Sequence, residues 1–483
     1  MKQLKLSLLI ASMASCVYAQ NQNWFYATTA NQSAQELAEN YPDQIQILDA
    51  SETVSAVYMT EEVAMKLKES DNLHGPAYIF RKDKTAAINA ANAQPQMNLN
   101  VLDFTIDQDS FVNLCIGQVN EQNIENTILE MEAYGTRFTT KPSGVQASYD
   151  IKDKWQNIAT TAGRSDVTVE AFDHSFTNQI SVILTIPGSM YPDEYVILGG
   201  HLDSGDYWLQ NYAPGADDNG SGIATLTETL RVLLANNFHP LRTVQFMAYA
   251  AEEIGLYGSA DIAESYYYAD KDVKAVLQLD MTNYKGSSYD IAIISDAEYT
   301  SNDLNLYLVD LLEHYNSAGE HKITYGFSNC GYGCSDHVSW TENGYMASFP
   351  FEAAMNQDNP NIHTTNDTYA AMGSTAVHSV KFAKLALEFA IETAKTNTMK
   401  TSEVNEANLM VTVKNRELIY NLSGQTGALS SISIFDGSGR KMIQDSKLSA
   451  TGSLSLNGLA NGLYIAVFKD QNGKVFSKKF LLK

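Results

Sequence analysis

Positive charge is scarce in this chain. Its 483 residues carry 32 Lys and Arg against 56 Asp and Glu, a formal net charge of −24. A phosphate backbone is held by clustered Lys and Arg, so this balance argues against nucleic acid as a partner. The acidity reads as a solvated surface that aids solubility rather than as a specific cation site. Charged residues of all kinds make up only 18% and hydrophobic ones 44%, which argues against a disordered chain and supplies a sizeable core. Long apolar runs are also missing. Past the first twenty residues no segment offers eighteen uninterrupted apolar residues, so no transmembrane segment is expected. Cysteine is sparse too, with four in all.

The start of the chain reads as an export signal. Lys2 and Lys5 precede a short apolar stretch from Leu6 to Tyr18, and Val17-Tyr18-Ala19 has small-residue cleavage character. Cleavage is expected after Ala19, giving a secreted or cell-surface protein. Cys16 raises the alternative of a lipoprotein signal, but Met13 suits that motif poorly. Export implies an oxidising compartment in which Cys115, Cys330 and Cys334 remain.

Composition divides the rest into three. Residues 20–98 mix helix-like runs (Ser33 to Tyr41, Thr60 to Glu69) with a strand-like run (Val54 to Met59), then pass from Lys84-Thr85-Ala86 into an Ala-, Asn- and Gln-rich stretch that reads as a linker. A small α+β module placed between an export signal and a larger domain suggests a propeptide, with a permanent accessory domain as the other reading. Residues 401–483 contain no Pro, Cys, Trp or His and carry ten Lys and Arg against six Asp and Glu. Their short alternating runs, such as Ser431 to Phe435 and Leu463 to Phe468, predict a β-sandwich. Between them, residues 99–400 alternate strands with helices. Tyr195 to Leu198 halts at Gly199-Gly200-His201, Thr243 to Ala250 at Glu252-Glu253, and Ala275 to Leu279 at Asp280. Ser221 to Leu234 has helical spacing with Asn219 or Ser221 as N-cap. The expected fold is α/β, a mostly parallel sheet flanked by helices on both faces, with its site at the carboxyl ends of the strands.

His201, Asp217, Glu253, Asp280 and His363 then supply two imidazoles and three carboxylates from separate strand ends and loops. Zinc accepts that nitrogen and oxygen mixture, and a two-metal site needs a carboxylate shared between the ions. Each residue alone has a plainer reading: a core histidine, a helix cap, a surface acid. Their coincidence beside glycines and at the ends of buried strands is what points to metal.

Gly200-His201-Leu202-Asp203-Ser204, Gly215-Ala216-Asp217-Asp218-Asn219-Gly220-Ser221-Gly222, Ala251-Glu252-Glu253-Ile254-Gly255, Leu279-Asp280-Met281-Thr282-Asn283-Tyr284 and Ile362-His363-Thr364-Thr365-Asn366-Asp367 resemble, in order, signature blocks of the bacterial leucyl aminopeptidases, co-catalytic dizinc exopeptidases of clan MH. The resemblance covers roughly residues 101–395. It implies two zinc ions per chain, one held by His201 and Asp280, the other by Glu253 and His363, with Asp217 bridging. It also implies that Asp203 orients His201, that Glu252 is the general base, and that Asp217-Asp218 is a cis-peptide pair. Cys330-Gly331-Tyr332-Gly333-Cys334 can close a tight loop, and the family has a disulfide there, with Tyr332 at the reacting centre; a Cys-x3-Cys metal site with His337 is the rival reading. Cys115 is then left as a buried thiol. Met281, Ile294, Cys330, Cys334 and Phe351 match an apolar pocket. Met355 and Asp358 fall where related enzymes carry aromatic residues, which implies a more open or more polar pocket. The tail from Leu456 to Lys483 resembles the sorting domain of type IX secretion cargo, so the secretion machinery is an expected partner. Peptide or protein N-termini are the expected substrate and a monomer the expected state. A carboxypeptidase of the clan would place Arg residues beside these motifs, and none is there; a glutaminyl cyclase would lack the full ligand set, and a non-catalytic binding module would have lost ligands.

Overall fold

The computed structural model describes residues 23–71, 74–92, 104–205 and 211–396, and, towards the end of the chain, 409–414, 416–422, 429–436, 440–449, 451–470 and 475–482. The expected export signal and the last residues of the expected linker lie outside the described residues. The chain forms two units, Met1–Thr398 and Met399–Lys483.

The first unit begins with four strands, β1 (Trp24–Ala30), β2 (Ile45–Ala50), β3 (Val54–Thr60) and β4 (Tyr78–Arg81), in the antiparallel order β2-β3-β1-β4. Strand alternation sends Ala27, Val57 and Met59 to one face, where they bury against Ala34 and Leu37 of helix Asn31–Asn40 and Val63 and Ala64 of helix Glu61–Asp71. Ala56 and Tyr26 face the other way, onto a third helix, Lys84–Asn92. That helix occupies most of the stretch expected to be linker. Asp83 Oδ1 caps it by accepting from the Ala86 N–H at 2.8 Å, and Ala87 and Ala91, one turn apart, bury on the sheet. Alanine richness here is helix propensity, not looseness.

The large sheet contains β5 (Thr168–Phe172), β6 (Ser181–Ile186), β7 (Tyr191–His201), β8 (Arg242–Tyr249), β9 (Asp272–Gln278), β10 (Ile291–Ile294), β11 (Tyr325–Ser328) and β12 (Ala347–Phe351), in the order β11-β10-β12-β9-β7-β8-β6-β5. Its centre, β12-β9-β7-β8, is parallel. The β6·β8, β5·β6 and β10·β12 pairings are antiparallel, so the sheet as a whole is mixed. Both faces are covered. Val196, Leu198, Phe246 and Leu277 pack on helices Gly220–Ala235 and Val377–Ala394, whereas Ile197, Met247 and Val276 pack on helix Tyr257–Tyr268 and Trp340. Burial on both sides explains the near-continuous apolar runs of the central strands. Because those strands are parallel, His201, Glu252-Glu253 and Asp280 emerge at the same end of the sheet.

Among the described residues, the second unit has seven strands, β13 (Leu409–Lys414), β14 (Glu417–Leu422), β15 (Leu429–Asp436), β16 (Lys441–Leu448), β17 (Thr451–Ser455), β18 (Gly462–Asp470) and β19 (Val475–Leu482). They form two antiparallel sheets, β13-β14-β17 and β16-β15-β18-β19, that share a core of Leu418, Tyr420, Ile432, Ile434 and Phe468.

Candidate metal centre and active site

Each donor is set by its local backbone. Strand β7 runs straight into His201, and its end lies so close to the exit of β9 that a Cβ on Gly200 would sit 2.4 Å from the Leu279 carbonyl oxygen; only glycine allows that approach. Ala251, Met281 and His363 all adopt positive φ, at 56°, 53° and 52°. Two of these stand directly beside Glu252 and Asp280 and the third is itself a candidate donor. Left-handed backbone at non-glycine residues is sparsely populated and clusters where a site over-determines it.

Two triads result, His201 with Asp218 and Asp280, and Asp218 with Glu253 and His363. His201 Nε2 lies 3.1 Å from Asp218 Oδ1 and 3.2 Å from Asp280 Oδ1. His363 Nε2 lies 3.0 Å from Asp218 Oδ2 and 3.2 Å from Glu253 Oε2. All five residues are buried. Two donors held by one zinc at about 2.0–2.1 Å with a tetrahedral angle stand roughly 3.3 Å apart, so the observed spacings fit that ion. Each oxygen of the Asp218 carboxylate faces one triad, as a bridge between two ions requires.

The shared carboxylate is therefore Asp218, and the assignment of Asp217 is corrected. Asp217 turns away: its Oδ1 accepts from the Asn283 N–H and its Oδ2 from Asn359 Nδ2, both at 3.2 Å, and its carboxyl contacts that of Glu352. Burial raises the Asp217 pKa to about 6, against its hydrogen bonds, and burial together with the Asp217 charge raises Glu352 well above its ordinary range. Asp367 accepts from the N–H groups of both Asp217 and Asp218, at 3.1 and 3.0 Å, and fixes the segment. The cis peptide likewise joins Asp218 to Asn219, not Asp217 to Asp218. The hydrogen bonds that hold Asp217 to Asn283 and Asn359 leave Asp218 as the one that faces the triads.

Asp203 ties the site together. Its Oδ1 lies 3.4 Å from His201 Nδ1 and accepts from the Glu252 N–H at 3.0 Å, while its Oδ2 accepts from the Glu253 N–H at 3.2 Å. Gly205 N–H holds Glu253 Oε1 at 2.7 Å, and Ser335 Oγ holds Asp280 Oδ2 at 2.6 Å. Burial and the Glu253 charge raise the Glu252 carboxyl well above its ordinary range, against the pull of His201, and its Oε1 has no hydrogen-bond partner among the described residues. Cys330 and Cys334 are bridged. That takes both thiols from the rival metal reading, and burial pushes His337 down to about 3, leaving it neutral against Phe349. Cys115 is buried in helix Asp109–Ile116. Met281, Ile294 and Phe351 do come together, with Ala292, Cys334 and Phe349, in one apolar cluster against which Cys330, Tyr332 and Met355 pack. Asp358 is half-buried.

One residue at the site has no signal in the sequence. His74, from the N-terminal module, reaches in until its Nε2 lies 3.1 Å from Asp280 Oδ2, and its backbone carbonyl accepts from the Tyr332 hydroxyl at 2.7 Å.

The family model described as peptidase family M28 matches residues 181–388. Leucine aminopeptidase 1 of Aspergillus fumigatus is 34% identical over 288 residues, which span 57% of this chain and 72% of that protein. The chain belongs to peptidase family M28. As an M28 peptidase it is a hydrolase, and its first unit is similar to solved members. The LapA aminopeptidase of Legionella pneumophila superposes with a TM-score of 0.67 at 28% identity, covering 77% of this chain and 99% of that one. LapB of the same organism gives 0.67 at 27% identity, covering 77% and 100%. Residues 405–483 match a second family model, the secretion system C-terminal sorting domain. No helix among the described residues is long and apolar enough to cross a membrane.

Proposed function

We propose that this M28 peptidase is an exported, two-zinc aminopeptidase that removes N-terminal residues from peptides. The observation that carries the reading is a single carboxylate, Asp218, shared by two His-and-carboxylate triads beside Glu252, whose Oε1 has no hydrogen-bond partner among the described residues. Zinc, when bound there, supplies Lewis acidity that polarises the scissile carbonyl and acidifies water. Glu252 takes the proton of the attacking water and hands it to the leaving amine, a task suited to a carboxyl whose basicity burial has raised. Tyr332 donates a hydrogen bond to the reacting carbonyl oxygen. Asp203 holds His201 and the backbone of the Glu252-Glu253 pair in register, so base and donors cannot shift independently. The cluster around Met281, Ile294, Phe351 and Met355 receives the side chain of the N-terminal residue, with Asp358 at its mouth. Export is supported by the sorting-domain match and by the leader-like start of the sequence.

The test compares leucine p-nitroanilide with an N-blocked peptide of the same sequence, alongside zinc content by elemental analysis. Turnover of the first, none of the second and two zinc ions per chain are expected. Cleavage of the blocked peptide would overturn the exopeptidase reading.

A further inference from the structure

His74 and Gly75 of the N-terminal module lie in the cleft where, on the reading above, a peptide substrate must sit. His74 is almost fully buried. Its imidazole packs between ring walls of the apolar pocket, 5.0 Å from Phe351 and 6.1 Å from Phe349 by ring centroids, and Asp358 is near enough to act on its charge. The Tyr332 hydroxyl donates to the His74 carbonyl. Gly75 follows at positive φ; a Cβ there would meet the Cys334 carbonyl oxygen at 2.5 Å and stand 3.4 Å from Glu252 Oε1. A side chain in the pocket, a carbonyl on Tyr332 and the next residue over the base is the layout of a substrate's first two residues. One thing differs: the His74 nitrogen continues into the chain and is not a terminal amine, so an exopeptidase has nothing there to release.

The segment is held from behind. The Phe80 N–H donates to the Gly255 carbonyl at 3.0 Å, and the Phe80 ring stacks on Tyr257 at 3.7 Å. Arg81 Nη2 reaches both carboxylate oxygens of Glu342 at 2.8 Å. These contacts fix β4 to the loop that follows Glu252-Glu253 and to helix His337–Glu342, so the module's last strand holds His74 and Gly75 in the cleft.

We propose that His74-Gly75 is an internal pseudosubstrate that keeps the full-length chain latent. This rests on the aminopeptidase reading for the identity of the cleft, and a second readout keeps the two separable. Three full-length, zinc-loaded proteins are compared: wild type, His74→Ala, which removes the side chain from the pocket, and Gly75→Ala, which keeps the His74 side chain but unseats the segment by a clash with the Cys334 carbonyl oxygen. Thermal melting confirms that each is folded. The readouts are kcat/KM for leucine p-nitroanilide and the rate at which dipicolinic acid strips zinc.

If the open state is a tenth populated or less, each variant gains about tenfold or more in kcat/KM, and zinc leaves both faster than wild type because the cleft is uncovered. Wild type that is active, with neither variant faster by more than about twofold, overturns the pseudosubstrate. So does a gain in His74→Ala alone, since Gly75→Ala must also unseat the segment. Three folded proteins all inactive on any amino-acid p-nitroanilide, yet stripped faster in both variants, would overturn the aminopeptidase reading and leave the occluding segment standing.

Discussion

At the scale of single residues, the arrangement around Asp218 makes the sharpest demands. Asp217 and Asp218 are adjacent and chemically identical, yet one faces both triads and the other faces Asn283, Asn359 and Glu352. Asp218→Asn is expected to drop zinc below two per chain, whereas Asp217→Asn, which keeps the shape of its hydrogen-bonded pocket, retains both ions; elemental analysis of the two proteins decides it. Glu252→Gln should keep both ions and lose about 10²–10⁴-fold in kcat. Near-full activity in that variant with two zinc ions bound would remove Glu252 as the base. Asp358, half-buried at the pocket mouth, is expected to favour Lys and Arg over Leu through a contact worth about 1.5–3 kcal/mol when shielded from water. The ratio of kcat/KM for Leu and Arg p-nitroanilides should therefore rise about 10- to 150-fold in Asp358→Tyr, and an unchanged ratio would leave Asp358 with a turn role before Pro360. His201, Glu253, Asp280 and His363 were legible because each stands at a strand end or in a loop that buried runs point to. The choice within Asp217-Asp218 was not legible, since it is made by Asn283, Asn359 and Asp367, which lie 66, 142 and 150 residues away.

At the scale of elements, periodicity and composition carried the reading well where one force dominates. The central strands are buried on both faces, so their apolar runs are near-continuous and their ends are marked by polar residues. Helix Gly220–Ala235 begins as its sequence suggests, with Asn219 Oδ1 accepting from the Gly222 N–H at 2.9 Å. Composition is ambiguous in Lys84–Asn92, because alanine suits both linkers and helices and only burial against Ala56 distinguishes them. The antiparallel edges of the sheet were likewise invisible, since pairing direction leaves little trace in a short strand. One edge makes a stability prediction. Asp290 accepts from the Thr324 N–H and Oγ1, both at 2.8 Å, and pairs with Lys285 and with Lys381 of the long helix Val377–Ala394. Burial alone would raise its pKa, but Lys381, Thr324 and Lys285 together hold it well below the ordinary 3.8. Its folded pKa is depressed, so its contribution is complete above the unfolded value and fades as the pH falls below about 4. Asp290→Asn should lower stability by about 1–3 kcal/mol at pH 7, with the gap to wild type closing in acid; urea melts at pH 7 and pH 3 measure both.

At the scale of the whole molecule, charge and fold separate together. Residues 401–483 carry a net positive charge on an otherwise acidic chain, fold as their own antiparallel unit, and contain no histidine to offer the metal centre. A chain ending at Thr398 is expected to keep kcat/KM within about twofold in vitro while failing to leave the envelope of its native host. Loss of activity in a truncated protein that is still folded would give the last unit a catalytic role. The docking of β4 carries a further consequence, in terms of concentration. A segment tethered beside its own cleft experiences a local concentration on the order of millimolar, whatever the dilution of the protein. A pseudosubstrate with an intrinsic dissociation constant of roughly 10 μM would hold the cleft about 99% shut while the chain is whole. Once the chain is cut between module and catalytic domain, that advantage ends, and at nanomolar protein in the surrounding medium the same contacts would leave nearly every cleft open. Activation then needs no change in the strength of any contact, only the loss of the tether.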